Sequence, residues 1–281
     1  MSNPTVQRLR LGTLLKAARE AAGKTQDEAA TRIDAAASKI SRLELGQSGI
    51  KLTDLGILLD LYGVGGEQAE TMRELARVGR QRGRWSGYRA AVPDWFRQYA
   101  DLEAAASEVR IYQPEVVPGL LQTEAYIRAV NNAGEAADPA RDLEHLVAAR
   151  LERQAVLDRD DAPNVSVVLS ESAVRRGIGG PTTMREQLRH LVEVGRRPHV
   201  ELQVLGFDAQ TFVPAAFPFI ILRFGDDSAS DVVYLEDYTD ATYLDRPDAV
   251  RAYVRLWNRL QAAALGPVES EGLVLRVAEQ R

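Results

Sequence analysis

Between Thr25 and Gly46 the chain reads TQDEAATRIDAAASKISRLELG, its densest grouping of side chains suited to recognition chemistry. Gln26, Ser38, Lys39, Ser41 and Arg42 offer an amide, two hydroxyls, an ammonium and a planar guanidinium. Such groups address hydrogen-bond acceptors rather than make or break covalent bonds, and a guanidinium can satisfy O6 and N7 of one guanine together. Their spacing fits that use. Thr25 stands where a helix cap belongs, with Glu28 three residues on as its reciprocal partner, and Ala29, Ala30 and Ile33 continue an apolar face. After Asp34 and Ala35, the stretch Ser38 to Leu45 carries Ile40 and Leu43 at a three-residue step and closes on Gly46. Two short helices joined by a tight turn, with small residues where they must approach, have helix-turn-helix spacing. That arrangement presents the N-terminal part of its second helix to a major groove while the first crosses the phosphate backbone. The competing reading is an ordinary helical hairpin whose Arg42 and Glu44 are solvated.

Elsewhere the chemistry-bearing residues are sparser. His145, His190 and His199 have no metal-ligand spacing, and the first and second sit in helical patterns where a surface or packed role suits them. Glu171, Glu236, Asp237 and Asp240 could meet at strand ends as general acid and base or as magnesium ligands, or serve as caps and solvated ends. The loop GIGGPTTM at 177–184 has glycines that would bring amides near a phosphate, but no Lys at P-loop spacing, and reads as a turn. PGLLQT at 118–123 reads as a bend and helix start capped by Thr123, or as the lip of a pocket. Arg73, Arg77, Arg80, Arg82, Arg84 and Arg89 form either a second phosphate-contacting patch or a soluble helix face and linker. With no cysteine there is no disulfide, thiolate metal site or cysteine nucleophile. The expectation is no catalytic residue, no metal and no cofactor.

The elements around these residues fall into two groups. Leu11, Leu14, Leu15, Ala18 and Ala22 mark an amphipathic helix over 9–22 stopped by Gly23. After the paired helices and a QSGIK loop, Leu52, Leu55, Leu58, Leu59 and Tyr62 mark another, ended by Gly63, and 67–82 reads as a basic helix. Beyond a stretch punctuated by Gly83, Gly87 and Pro93, helical patterns at 138–159, 181–196 and 247–264 alternate with β-branched runs at 165–170, 200–205, 217–224 and 231–236. The tail 266–281 has no strong pattern. The fold class expected is α+β: an all-helical module over 1–82, a linker at 83–93 and a larger mixed domain over 94–281.

The charge supports that division. The chain carries −5 over 281 residues, yet residues 1–90 hold 15 basic against 10 acidic side chains, a net of +5, and the remainder a net of −10. An even spread would argue against a nucleic-acid partner; this one gives the halves different partners. The 45% hydrophobic content excludes disorder, no apolar run approaches a membrane span, and the polar start lacks a secretory signal, so a cytoplasmic protein is expected. Only Lys16, Lys24, Lys39 and Lys51 are lysine against 31 arginines, a bias typical of a high-GC genome.

Gln26, Ile40, Ser41, Arg42, Leu43, Glu44 and Gly46 resemble the pattern of XRE-type helix-turn-helix regulators. That resemblance implies that Ala37, Ser38, Lys39, Ser41 and Arg42 lie on the exposed face of a recognition helix, that Ile40 and Leu43 point inward, and that Gln26 bonds a backbone phosphate. Family members usually place Ser or Thr at the cap of that helix; Ala36 here forfeits the side-chain acceptor. Over nearly the whole chain, VPGLLQTEAYIRAV at 117–130, residues 150–180, MREQLRHLVE at 184–193 and DVVYLED at 231–237 resemble WhiJ-type actinobacterial regulators. This implies a DNA-binding transcription factor, nucleoid-associated, with double-stranded DNA as partner. A homodimer is expected with it, and the C-terminal domain would pair copies or bind a small companion protein or a small-molecule effector. The alternatives from other classes are a nuclease- or phosphodiesterase-like enzyme with an accessory DNA-binding head, and an antitoxin-like protein that neutralises a companion.

Overall fold

The computed structural model describes residues 4–80, 94–132, 143–210, 217–225, 231–237 and 240–281, leaving the expected linker 83–93 outside the described residues. The chain forms two compact units. The first gathers the helices up to residue 80 together with Arg97–Ala105 and the segment Phe224–Ser230 that follows β4; the second holds the strands and the remaining helices.

The regular elements of the first unit among the described residues are all helices: α1 Pro4–Ala21, α2 Gln26–Arg32, α3 Ala37–Glu44, α4 Leu52–Tyr62, α5 Gly66–Gly79, and most of α6, Asp94–Ala105. α1 starts at Pro4, well ahead of the expected residue 9, because Thr5 and Val6 are buried as well. Gly63 ends α4, as expected, and does so in the left-handed conformation (φ 69°), which a residue without Cβ takes at no steric cost. The core is continuous from Leu11 and Leu15 through Ala29, Ile40, Leu43 and Ile50 to Leu55, Leu58, Leu59 and Met72. The periodic apolar residues of each helix therefore meet in one place.

The second unit is built on a six-stranded mixed sheet of order β3-β2-β1-β4-β5-β6, with β1 Glu108–Gln113, β2 Asn164–Ser170, β3 Val200–Leu205, β4 Phe219–Arg223, β5 Val232–Glu236 and β6 Ala241–Leu244. β1, β2 and β3 run parallel, in the register Val109↔Val165 and Val167↔Leu202, so each link must cross the sheet through helices: α7 Glu124–Asn132 and α8 Leu143–Gln154, then α9 Glu171–Arg175 and α10 Gly180–Gly195. β4, β5 and β6 return as an antiparallel meander, Tyr112 facing Phe219 and Tyr234 facing Tyr243. One sheet face, with Tyr112, Val168, Phe219, Ile221 and Val233, packs against Val250, Trp257 and Leu260 of α11 Pro247–Ala263. The patternless tail is helix α12, Pro267–Glu279, whose buried Ser270 hydroxyl accepts the Val204 N–H of β3 (2.9 Å) and donates to Leu265 O (3.2 Å).

Candidate nucleic-acid interface

The site rises from two caps of opposite quality. At the start of α2 the box is complete. The Thr25 hydroxyl oxygen accepts the Glu28 N–H (3.1 Å), and Glu28 Oε2 accepts the Thr25 N–H (2.8 Å), which holds the Glu28 carboxyl below the usual glutamate range. At the start of α3, Ala36 has extended dihedrals and no side-chain hydrogen bond. Between them Asp34 takes a left-handed conformation (φ 50°), which a short polar side chain tolerates, and the chain reverses there.

A buried polar latch fixes α3 against α1. Arg19 grips Glu44 with two hydrogen bonds, Nε to Oε1 at 2.6 Å and Nη2 to Oε2 at 3.1 Å, while Nη1 donates to Lys24 O at 2.8 Å. The Glu44 side chain is 4% exposed and that of Arg19 11%. The hydrogen bonds to Glu44 hold the Arg19 guanidinium in its charged form more firmly than usual. Burial first, and the Glu44 charge second, push the Tyr62 phenol up to about 12. Two glycines permit the close approach: a Cβ on Gly12 would stand 2.5 Å from Glu44 O, and one on Gly46 (φ 66°) would stand 2.7 Å from Leu9 Cα. The sequence motif thus contains a structural glutamate: of the two residues the alternative reading held to be solvated, Glu44 faces inward, whereas Arg42 is exposed.

The latch also engages Gln26, whose Nε2 donates to Glu44 Oε2 at 2.8 Å, so one of its two amide hydrogens is held inside the protein. Lys39, half-buried, donates to Asp54 Oδ2 at 2.8 Å in the first turn of α4. Ala37 and Ser41 are half-buried. Ser38 and Arg42 are exposed one turn apart on the same face, and among the described residues neither side chain has a hydrogen bond or ion pair. Ile40 and Leu43 fill the core, 1% and 4% exposed. Next to α3 in the chain, Arg32 at the end of α2 and Lys51 at the start of α4 are also exposed and without partners among the described residues. The sequence assigned neither a role; a lysine closing the QSGIK loop just before a helix was the available signal for Lys51.

The arginine series on α5 is different. Arg73 and Arg77 bond Glu70 and Glu74 one turn back, at 2.5 and 2.8 Å. Arg80 lies at the end of that helix, and Arg82, Arg84 and Arg89 lie outside the described residues.

In the sheet unit the acidic candidates are engaged locally. Glu171 accepts the Phe207 N–H (2.9 Å) and Arg175 (2.7 Å), and Glu236 accepts the Tyr234 hydroxyl (3.0 Å). Asp237 and Asp240 close the β5–β6 hairpin by accepting the Asp240 and Ala241 N–H groups. Burial lowers the pKa of His190, and His199 Nε2 is buried without a partner among the described residues. No group of three or more His, Asp or Glu among them could hold a metal. The PGLLQT bend is a packed knot. Gln187 accepts the Thr123 N–H and donates to Leu121 O, while Gln154 donates to Gly119 O and Gln122 O. GIGGPTTM forms the start of α10, where a Cβ on Gly179 (φ 69°) would stand 2.7 Å from that of Ala129. No helix among the described residues is long and apolar enough to cross a membrane.

Compared with known families, residues 10–72 match a helix-turn-helix domain, and residues 96–276 match a domain of unknown function (DUF5753). No curated protein and no solved structure matches the chain.

Proposed function

This chain belongs to the family defined by the domain of unknown function DUF5753 and carries a helix-turn-helix domain ahead of it, and on that premise we propose that it is a sequence-specific, DNA-binding transcriptional regulator of XRE type. The observation that carries this reading is the outward face of α3, where Ser38 and Arg42 stand exposed and unengaged on a helix pinned by the Arg19–Glu44 latch. A rigid helix with free donors on one face is what direct readout requires, because every donor already used inside the protein is lost to the base edges. Arg42 takes the guanine-reading role. Arg32 and Lys51 suit the phosphates on either side, and Gln26 has one amide hydrogen left for a third.

The finer reading is a WhiJ-type, actinobacterial, cytoplasmic and nucleoid-associated homodimer without enzymatic activity. One short helix reads few base pairs, so two heads on a roughly palindromic site, centred about 34–36 Å apart or a multiple of it, supply the missing specificity. The C-terminal domain then pairs the copies or receives a companion protein or small effector. The test is selection of duplexes from a random pool by the full chain, followed by titration across salt. A preferred site whose log affinity falls by about 0.9 per phosphate neutralised is expected. An affinity independent of salt or sequence overturns the proposal.

A further inference from the structure

Helix α11 of the sheet unit carries a stripe of cations that the fold does not use. Its inward side, with Val250, Trp257 and Leu260, is buried against the sheet. Trp257 Nε1 donates to Gln261 Oε1 (3.2 Å), and Gln261 Nε2 donates in turn to Glu201 of β3 (2.9 Å). Packing and hydrogen bonds thus fix which side of the helix meets solvent. On that side Arg251, Arg255 and Arg259 are exposed at successive four-residue steps. Each step rises about 6 Å and turns about 40°, so the three side chains leave one face of the helix over about 12 Å.

Among the described residues none of the three has a hydrogen bond or an ion pair. Their surroundings make that unusual. Residues 91–281 hold 20 basic side chains against 30 acidic, and in the sheet unit Arg128 bonds Glu124 and Glu144, Arg175 bonds Glu171 and Arg196 bonds Glu271. Asp248, an acid at the start of the same face, is taken by Arg246 at 3.2 Å. Like charges four residues apart on a helix repel, so the stripe opposes folding slightly instead of supporting it. A rigid row of guanidinium groups without internal partners is complementary to an anion from outside the chain.

We propose that the Arg251–Arg255–Arg259 face of α11 docks an acidic helix of a partner protein, one with Asp or Glu side chains at matching four-residue steps. Each guanidinium is a planar fork that suits a carboxylate. Ala252 and Ala262, small and exposed on the same face, leave room for a second helix to lie close. A second copy of this chain lacks the complement, since Asp or Glu at positions i, i+4 and i+8 occurs nowhere in the sequence. A duplex fits less well for another reason. It carries a charge every ~1.7 Å over a length far beyond the face, so its further phosphates would meet the acidic surplus of the domain. A short helix ends where the arginines end. The inference goes beyond the DNA-binding reading and does not depend on it.

The test titrates the full chain at low ionic strength with a synthetic alanine-rich helical peptide bearing three glutamates at four-residue steps, and with its counterpart bearing three glutamines. The glutamate peptide should bind at least about 10-fold more tightly. In the full chain carrying Arg251→Gln, Arg255→Gln and Arg259→Gln that preference should vanish, while thermal melting by circular dichroism stays where it was or rises slightly as the repulsion is removed. No preference in the unaltered chain, or the same preference in the variant, overturns the proposal. An earlier melt in the variant assigns the arginines to the fold and overturns it too. Two further measurements on the same variant separate other occupants. If its affinity for a random duplex falls as far as its affinity for the glutamate peptide, the face takes any polyanion; if sedimentation shows that self-association is lost, the face belongs to a second copy. Either result removes the acidic helix as occupant.

Discussion

The candidate residues of the helical unit and those of the sheet unit are engaged in different ways. In the sheet unit the acids once candidates for catalysis hold backbone and neighbours in place: Glu171 ties Phe207 and Arg175, Glu236 takes the Tyr234 hydroxyl, and Asp237 and Asp240 close a hairpin. In the helical unit the buried Arg19–Glu44 pair holds α3 in place, while Ser38, Arg42, Arg32 and Lys51 are left outward. A charge already satisfied by its own chain has little to offer a ligand, because the partner must be displaced before a new bond forms. The difference supports the proposal that α3 carries recognition.

The contrast breaks most severely at Glu44. Glu44→Ala leaves the Arg19 guanidinium buried without its partner, an uncompensated charge that costs about 3–5 kcal/mol. The helical unit should melt far earlier by circular dichroism. By contrast, Glu271→Gln in the solvent-exposed Arg196–Glu271 pair of the sheet unit should leave the melting curve where it was, since exposed pairs contribute little. Comparable losses from the two changes would show that the latch is not what holds α3.

The next effect is on recognition. Arg42→Ala should relax preference at one base read by α3 by about 1–3 kcal/mol, some 5- to 150-fold, without changing thermal stability. Arg77→Ala, which removes a guanidinium already bonded to Glu74, should alter neither specific nor random binding by more than about twofold. Equal losses on specific and random duplexes for Arg42→Ala would move the reading face elsewhere.

The two caps sharpen the comparison inside the helical unit itself. Thr25→Ala should destabilise it by about 1 kcal/mol by removing the acceptor of the Glu28 N–H, whereas Ala36→Ser should stabilise it by a similar amount by supplying the acceptor that α3 lacks. Opposite shifts in denaturant midpoint are expected. A null result at Ala36 would mean that the first N–H groups of α3 are satisfied by water as well as by a hydroxyl.

The smallest effect is visible only in alkali. An unfolded tyrosine titrates near 10, and Tyr62 in the folded chain holds its proton up to about 12. With the folded value raised, the associated stability is complete below pH 10 and is lost as pH climbs from 10 to 12. Burial raises Tyr112, Tyr126 and Tyr253 as well, so tyrosinate absorbance should show one fewer late-titrating group in Tyr62→Phe than in the unaltered chain. An unchanged titration in that variant would assign the late group elsewhere.

Local rules made much of this legible in the chain itself. Thr25 with Glu28, the steps Ile40–Leu43 and Leu55–Leu58–Leu59, the glycines at 46 and 63, and the β-branched runs at 165–170, 200–205 and 231–236 act within a few residues, so helices α2 to α4 and strands β2, β3 and β5 were readable with their faces. Strand β1 was not, because Glu108 and Arg110 interrupt its apolar run and are matched to each other at 2.5 Å only once the strand forms. α12 was hidden by Glu269, Glu271 and Gly272, and its Ser270 makes sense only beside the edge of β3. The same limit holds at the site. Sequence alone determined which residue types occupy α3 and that Ile40 and Leu43 turn inward. Tertiary structure decided that Glu44 is buried on Arg19, that Gln26 and Lys39 are already bonded within the chain, and that α6 docks on Thr5 and Leu45. Those contacts span 15 to 96 positions along the chain, and periodicity carries no information across such separations.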